Sequence, residues 1–249
     1  MEDLKAICIV IRGELLRNPT STFHDGNNTK ELKPYSLDPI VVNKQNQIME
    51  SILNHIVKPY KDHGYHVHVS GCVYECPKYE SQFNRYFPNN TILQIQSGRT
   101  NQPHLCLNAL EHAEKSHPDC VEYIIIRADY LMLRDVKMKN TSTDFYTGFA
   151  WKNLNGFPQV DVFFIISKKA MHGFKSILYK RIHLQHCDTH YLLQELTQLV
   201  ENNERILLYP IWDDYQNGAT SLSFPKYEKE YHLHTKRPFV NYIREVKLW

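Results

Sequence analysis

The stretch VEYIIIRADYLML, Val121–Leu133, decides how this chain is read. Its first half is apolar and rich in β-branched residues, the pattern of a strand buried on both faces. The run ends at Arg127 and Asp129, one residue apart, with Tyr130 behind them. Strands often end in polar residues simply because the sheet stops there. Open α/β sheets supply a second reason, since they bind ligands just outside the carboxyl ends of their strands. The other strands decide between the two readings by what they deliver to the same edge.

Working outward, KAICIVI (Lys5–Ile11) is another short buried strand, stopping at Arg12-Gly13. The stretch 18–39, rich in Asn, Thr, Pro and Asp, reads as a long irregular loop, a length usually reserved for functional or disordered segments. From Asn43 to Tyr60, apolar residues from Ile48 to Val57 recur at helical spacing, and Pro59 then Gly64 are expected to end the helix. Strands are expected at Tyr65–Gly71 and Thr91–Gln96, then an amphipathic helix carrying Leu105, Cys106, Ala109, Leu110 and Ala113. Beyond a polar stretch, Lys137–Phe157, come a strand at Gln159–Ser167 and a short helix at Ala170–Leu178. A helix capped by Thr189 and running to Glu201, then a strand at Arg205–Trp212, complete the confident pattern. The tail from Gly218 is aromatic and basic without a period. Strands alternating with helices predict an α/β fold: a Rossmann-like, mostly parallel sheet flanked by helices. With no internal repeat or low-complexity linker, residues 1–249 are read as a single domain, residues 1–135 forming one half and 136–249 the other with an irregular extension.

Composition narrows the function classes. Hydrophobic residues make up 42% of the 249 and charged residues 22%, as in a globular protein able to bury a core without staples. A net charge of +2 argues against a dedicated nucleic-acid binder. The six cysteines form no C-x-x-C pair, no signal peptide is expected from the Met-Glu-Asp start, and the apolar runs are strand-sized. The expectation is a cytoplasmic protein with reduced thiols and no membrane span.

In a parallel sheet the strand ends gather on one edge. The first strand would bring Arg12, Gly13 and, one turn on, Arg17; the second, Ser70, Gly71 and Tyr74. The third would bring Arg99 and, at a helix start, Gln102; the fourth, Arg127 and Asp129. Basic side chains, glycines that let backbone approach, and a helix N-terminus suit a diphosphate. Taken singly, an arginine at a strand end is more often solvated or salt-bridged; their joint occurrence lifts the ligand reading.

No G-x-G-x-x-G follows the first strand, and no G-x-x-x-x-G-K-[ST] or G-x-S-x-G occurs. His66 and His68 share a strand face, and alternation explains them as well as zinc does. HLQHCDTH, with His183, His186, Cys187 and His190, lacks a second ligand group at a zinc spacing, so structural zinc there is the minority reading. A Mg²⁺ or Mn²⁺ held by Asp129 and a diphosphate is chemically sensible.

Four motifs in this order resemble the nucleotide-diphosphosugar glycosyltransferases of the GT-A fold, particularly the small ones encoded by large algal DNA viruses that glycosylate capsids. They are IVIRGELLR (Ile9–Arg17), SGRTNQPHLCLNALEHA (Ser97–Ala113), YIIIRADYLML (Tyr123–Leu133) and VDVFFIISKKAM (Val160–Met171), within a similarity of element order over about residues 5–212. The resemblance implies a UDP- or GDP-sugar donor bound by the first half and a glycan acceptor by the second, in the host cytoplasm for a viral enzyme. In that family an acidic D-x-D holds a divalent ion. Here Arg127 stands where the first carboxylate would be and only Asp129 remains, so the alternative is that Arg12, Arg17 and Arg99 neutralise the diphosphate without an ion while Asp129 holds sugar hydroxyls. An inverting reaction needs a base near the acceptor, and Asp161 and Asp188 are the candidates, Asp188 also serving as a helix cap. Two other readings stay open: a metal-dependent nucleotidyltransferase or phosphohydrolase, and a non-catalytic module stapled by zinc.

Overall fold

A computed structural model of the chain describes residues 5–16, 35–88, 91–96, 102–132, 135–136, 145–147, 163–182, 208–210 and 219–221. β1 (Ala6–Gly13), β2 (His66–Tyr74), β3 (Thr91–Gln96), β4 (Cys120–Arg127), β6 (Phe145–Thr147), β7 (Phe163–Ser167) and β8 (Leu208–Pro210) form one sheet in the order β3-β2-β1-β4-β7-β6-β8. Neighbouring strands pair in parallel from β3 to β4, and β6 pairs in parallel with β8. β7 runs antiparallel to β4 and to β6. This is the mostly parallel, helix-flanked sheet that the alternating pattern predicts. β5 (Tyr130–Met132) follows β4 at once and pairs antiparallel with β9 (Ala219–Ser221) in a small second sheet.

The helices cover both faces of the main sheet. Adjacent residues of a strand point to opposite faces, so Glu122 and Tyr123 on β4 report on the two layers. Tyr60, in α2 (Lys58–Asp62), donates its hydroxyl to Glu122 Oε1 at 2.7 Å. The Tyr123 hydroxyl, on the other face, donates to the His117 carbonyl at 3.1 Å, just past α4 (Gln102–Ser116). α4 lies across β1 and β2, as a crossover from β3 to β4 requires. α5 (Lys168–Arg181), capped by the Ser167 hydroxyl, packs beside α4 through Lys175 to Glu114 at 2.5 Å and through Tyr179 to Glu111. The central run Ile7–Ile11 is wholly buried between the layers, which is why its residues read as continuous rather than alternating.

Several boundaries differ from expectation. The first helix, α1 (Pro39–Ile52), starts four residues before Asn43, with Asp38 Oδ1 accepting from Ile40 N at 2.8 Å and Pro39 in the first turn. Pro59 does not end it. A π-helical turn, Leu53–Val57, with Lys58 N–H bonded to Leu53 O, precedes Pro59 and lets α2 continue. The wider turn relieves the clash of the proline ring with the carbonyl four residues back. The stop comes at Gly64, φ 81°, where Gly64 N bonds Lys61 O and Tyr65 N bonds Tyr60 O. β2 runs three residues past Gly71, because Cys72 and Val73 are buried like the rest of the strand. An unexpected helix, α3 (Tyr79–Tyr86), follows it. β6 lies inside the stretch read as polar and aperiodic, and β9 inside the tail. The helix expected at Thr189–Glu201 lies outside the described residues.

Candidate functional site

The carboxyl ends of β1 and β4 lie side by side, with Arg12 and Arg127 as direct register partners. Register partners in a parallel pair share a face, so both arginines belong to the face that α4 covers. The ladder continues one step beyond β4, Ala128 N donating to Arg12 O at 2.8 Å. Gly13 follows Arg12 at φ 115°, a backbone conformation that side chains rarely adopt. Among the described residues a Cβ there would meet only Ala128 N, at 3.9 Å, so the dihedral calls for glycine.

The turn after β1 is held firmly. Leu16, fully buried, has φ 52°. Its N–H donates to Gln45 Oε1 at 2.9 Å and its carbonyl accepts from Ser36 N at 2.8 Å. Gln45 Nε2 in turn donates to the Ala128 carbonyl at 2.9 Å. One buried amide on α1 thus ties the turn after β1 to the turn after β4. Sequence reasoning missed Gln45, since it sits in the buried stripe of the helix, and its polarity at a core position was the only signal available.

Arg127 and Asp129 meet each other. Arg127 Nε donates to Asp129 Oδ1 at 2.9 Å and Nη2 to Oδ2 at 2.6 Å, a bidentate pair with Asp129 only 6% exposed. The Arg127 guanidinium also lies 5.3 Å from the centroid of the Tyr130 ring. Arg127 thus holds Asp129 and Tyr130 together at the end of β4. Arg12 differs: it is 1% exposed, with its guanidinium 6.0 Å from the centroid of the Phe164 ring on β7. Its charge lies beneath the edge rather than on it. The Cys72 thiol beside it is pushed up to about 12 by burial and by Cys106, against the pull of Arg12, so it is no ready nucleophile.

The other expected residues fall in three groups. Tyr74 ends β2, half-buried, and Gln102 is the first residue of α4. Ser70 and Gly71 do not end their strand; they pair with Val10 and Ile11 inside it, and the fully buried Ser70 Oγ has no hydrogen-bond partner among the described residues. Arg17, Arg99, Asp161, Asp188 and the His183–His190 cluster lie outside the described residues.

Among the described residues of this edge, a divalent ion finds a poor fit. Both Asp129 oxygens are bonded to a guanidinium, and the pair has no net charge to attract a cation. Among the described residues no group of three or more His, Cys, Asp or Glu side chains could hold a metal. No helix among them is long and apolar enough to cross a membrane.

No protein-family model matches the chain, and no curated protein matches its sequence. Solved structures do match. The nucleoside-diphosphate-sugar pyrophosphorylase from Vibrio cholerae RC9 superposes with a TM-score of 0.55 at 8% identity, over 90% of this chain and 98% of that one. A glycosyltransferase involved in glycosylation of the major capsid of PBCV-1 gives 0.49 at 9% identity, over 92% and 99%. A mutant of Drosophila β1,4-galactosyltransferase 7, in complex with manganese, UDP-Gal and xylobiose, gives 0.46 at 9% identity, over 91% and 74%. The chain has a GT-A-type fold, a mostly parallel sheet flanked by helices, in common with that pyrophosphorylase structure.

Proposed function

We propose that this chain is a glycosyltransferase that moves a sugar from a UDP- or GDP-sugar onto a hydroxyl of a glycan acceptor. The observation that carries the reading is the pairing of Arg12 with Arg127 at adjacent strand ends, with Asp129 and the fixed Gly13–Leu16 turn beside them. With Asp129 paired to Arg127, Arg12 just beneath the carboxyl edge of a parallel sheet lends that edge positive potential, which suits a nucleoside diphosphate. In this reading residues 1–135 hold the donor and residues 136–249 the acceptor.

The acceptor hydroxyl attacks the anomeric carbon as the nucleoside diphosphate leaves. Arg17 and Arg99 meet the phosphates, Arg12 adds its field from below, and Asp129 accepts hydrogen bonds from sugar hydroxyls. Tyr74, Gln102 and the main chain at Gly13 complete the donor pocket. Asp161 or Asp188 takes the acceptor proton. A screen of nucleotide sugars for turnover tests this, with release of UDP or GDP expected from at least one donor. Release of pyrophosphate from a nucleoside triphosphate and a sugar 1-phosphate, offered alongside, instead favours the second reading, a nucleotidyltransferase, which the fold shared with a pyrophosphorylase supports. Release of none of these across the panel contradicts both.

A further inference from the structure

We propose that Arg127 is a resident cation at this edge, neutralising Asp129 so that nucleoside diphosphate binds here without a divalent ion. The inference rests on the proposed function for its ligand, but its core concerns the ion pair alone. A divalent cation at a diphosphate site needs a carboxylate with charge to offer. Asp129 offers none, because Nε and Nη2 of Arg127 engage one oxygen each. The pair is short in sequence, bidentate and mostly withdrawn from water, the side chains being 18% and 9% exposed. Water and salt therefore screen it less than they screen a surface pair. A metal would have to evict a guanidinium that the Tyr130 ring also supports. With Asp129 neutralised in this way, its carboxylate no longer repels the phosphates, and Arg12 beneath the edge lends them positive field without an ion.

The test separates the ion pair from the function. Mn²⁺ is titrated into the purified full chain and followed by electron paramagnetic resonance, in wild type, Asp129→Asn and Arg127→Asp. Wild type and Asp129→Asn should give the same isotherm, and Arg127→Asp should gain one saturable site. A site present in wild type and lost in Asp129→Asn overturns the proposal, as does a folded Arg127→Asp that gains nothing. Should Arg127→Asp fail to fold, the wild-type comparison still decides. Alongside, UDP and GDP are added with either EDTA or Mn²⁺ and the melting temperature is read. An equal shift in both conditions supports the proposal, and a shift confined to Mn²⁺ overturns it while leaving the glycosyltransferase reading intact. No shift in either condition counts against that reading, and the Mn²⁺ isotherms still decide the role of Arg127.

Discussion

Gln45 shows at the scale of one residue how the edge is kept in shape. A left-handed Leu16 is costly for a branched side chain, on the order of 1–3 kcal/mol, and persists only where its surroundings fix it. The two hydrogen bonds of Gln45 supply that fixing, one to each turn. Replacing it with an isosteric apolar residue, Gln45→Met, leaves Leu16 N and the Ala128 carbonyl buried without that partner. The expected loss is roughly 2–4 kcal/mol of unfolding free energy, measured by denaturant titration. A loss of only a few tenths would mean that the two turns stand without it. The strand-end arginines and Asp129 were legible in the sequence because charge interrupts an apolar run. Their mutual bond was not, because a two-residue spacing fits a ligand site and a salt bridge equally well.

Among the elements, the helix α1–α2 with its π-turn explains how β5 is seated. Pro59 has no N–H, so the His55 carbonyl four residues back lacks its usual helical partner. Val136 N fills that gap at 2.9 Å, and His55 Nδ1 lies 2.7 Å from Asp135 Oδ1. One turn earlier, Ser51 Oγ accepts from Met132 N at 2.9 Å while donating to Ile48 O. A proline that looks like a stop signal thus becomes a docking point for the segment behind the candidate site. Pro59→Ala restores a competing N–H, so hydrogen exchange at the Val136 amide should accelerate while the amides of β1 and β4 keep their protection. Unchanged exchange at Val136 would count against this role. The long strands β1 and β4 were legible because burial on both faces leaves a continuous apolar run, and β3 spans the range Thr91–Gln96 read from the sequence. The three-residue strands β5, β6 and β9 were not, since a strand that short has no period to detect. The π-turn escaped because helical spacing drifts by only one residue across it.

Across the whole molecule the two edges of the sheet differ in character. The carboxyl edge of β1 and β4 carries arginine, whereas the opposite edge carries a cluster of imidazoles. The His68 ring lies 4.4 Å from that of His66 and 4.2 Å from that of His117, centroid to centroid. Burial, then His68, His112 and His66, push His117 down from 6.5 to about 4, and His68 is lowered by burial and by His66. Between those values the unfolded chain holds the proton and the folded chain does not, so this group's contribution to stability falls as pH drops from 6.5 to about 4 and levels off below. Glu122 acts in the opposite sense, its carboxyl raised by burial despite the Tyr60 hydrogen bond. The clean measurement is therefore the difference between wild type and His117→Asn, which should tilt in favour of the variant as the medium is acidified through that window. A flat difference would show that His117 titrates normally. The account as a whole depends on the arginine edge being the place where ligand binds. Hydrogen–deuterium exchange of the full chain, with and without saturating UDP or GDP, reads this directly. The account predicts protection concentrated at Arg12–Leu16 and Arg127–Met132; protection centred on the histidine edge, or none at any segment, would contradict it.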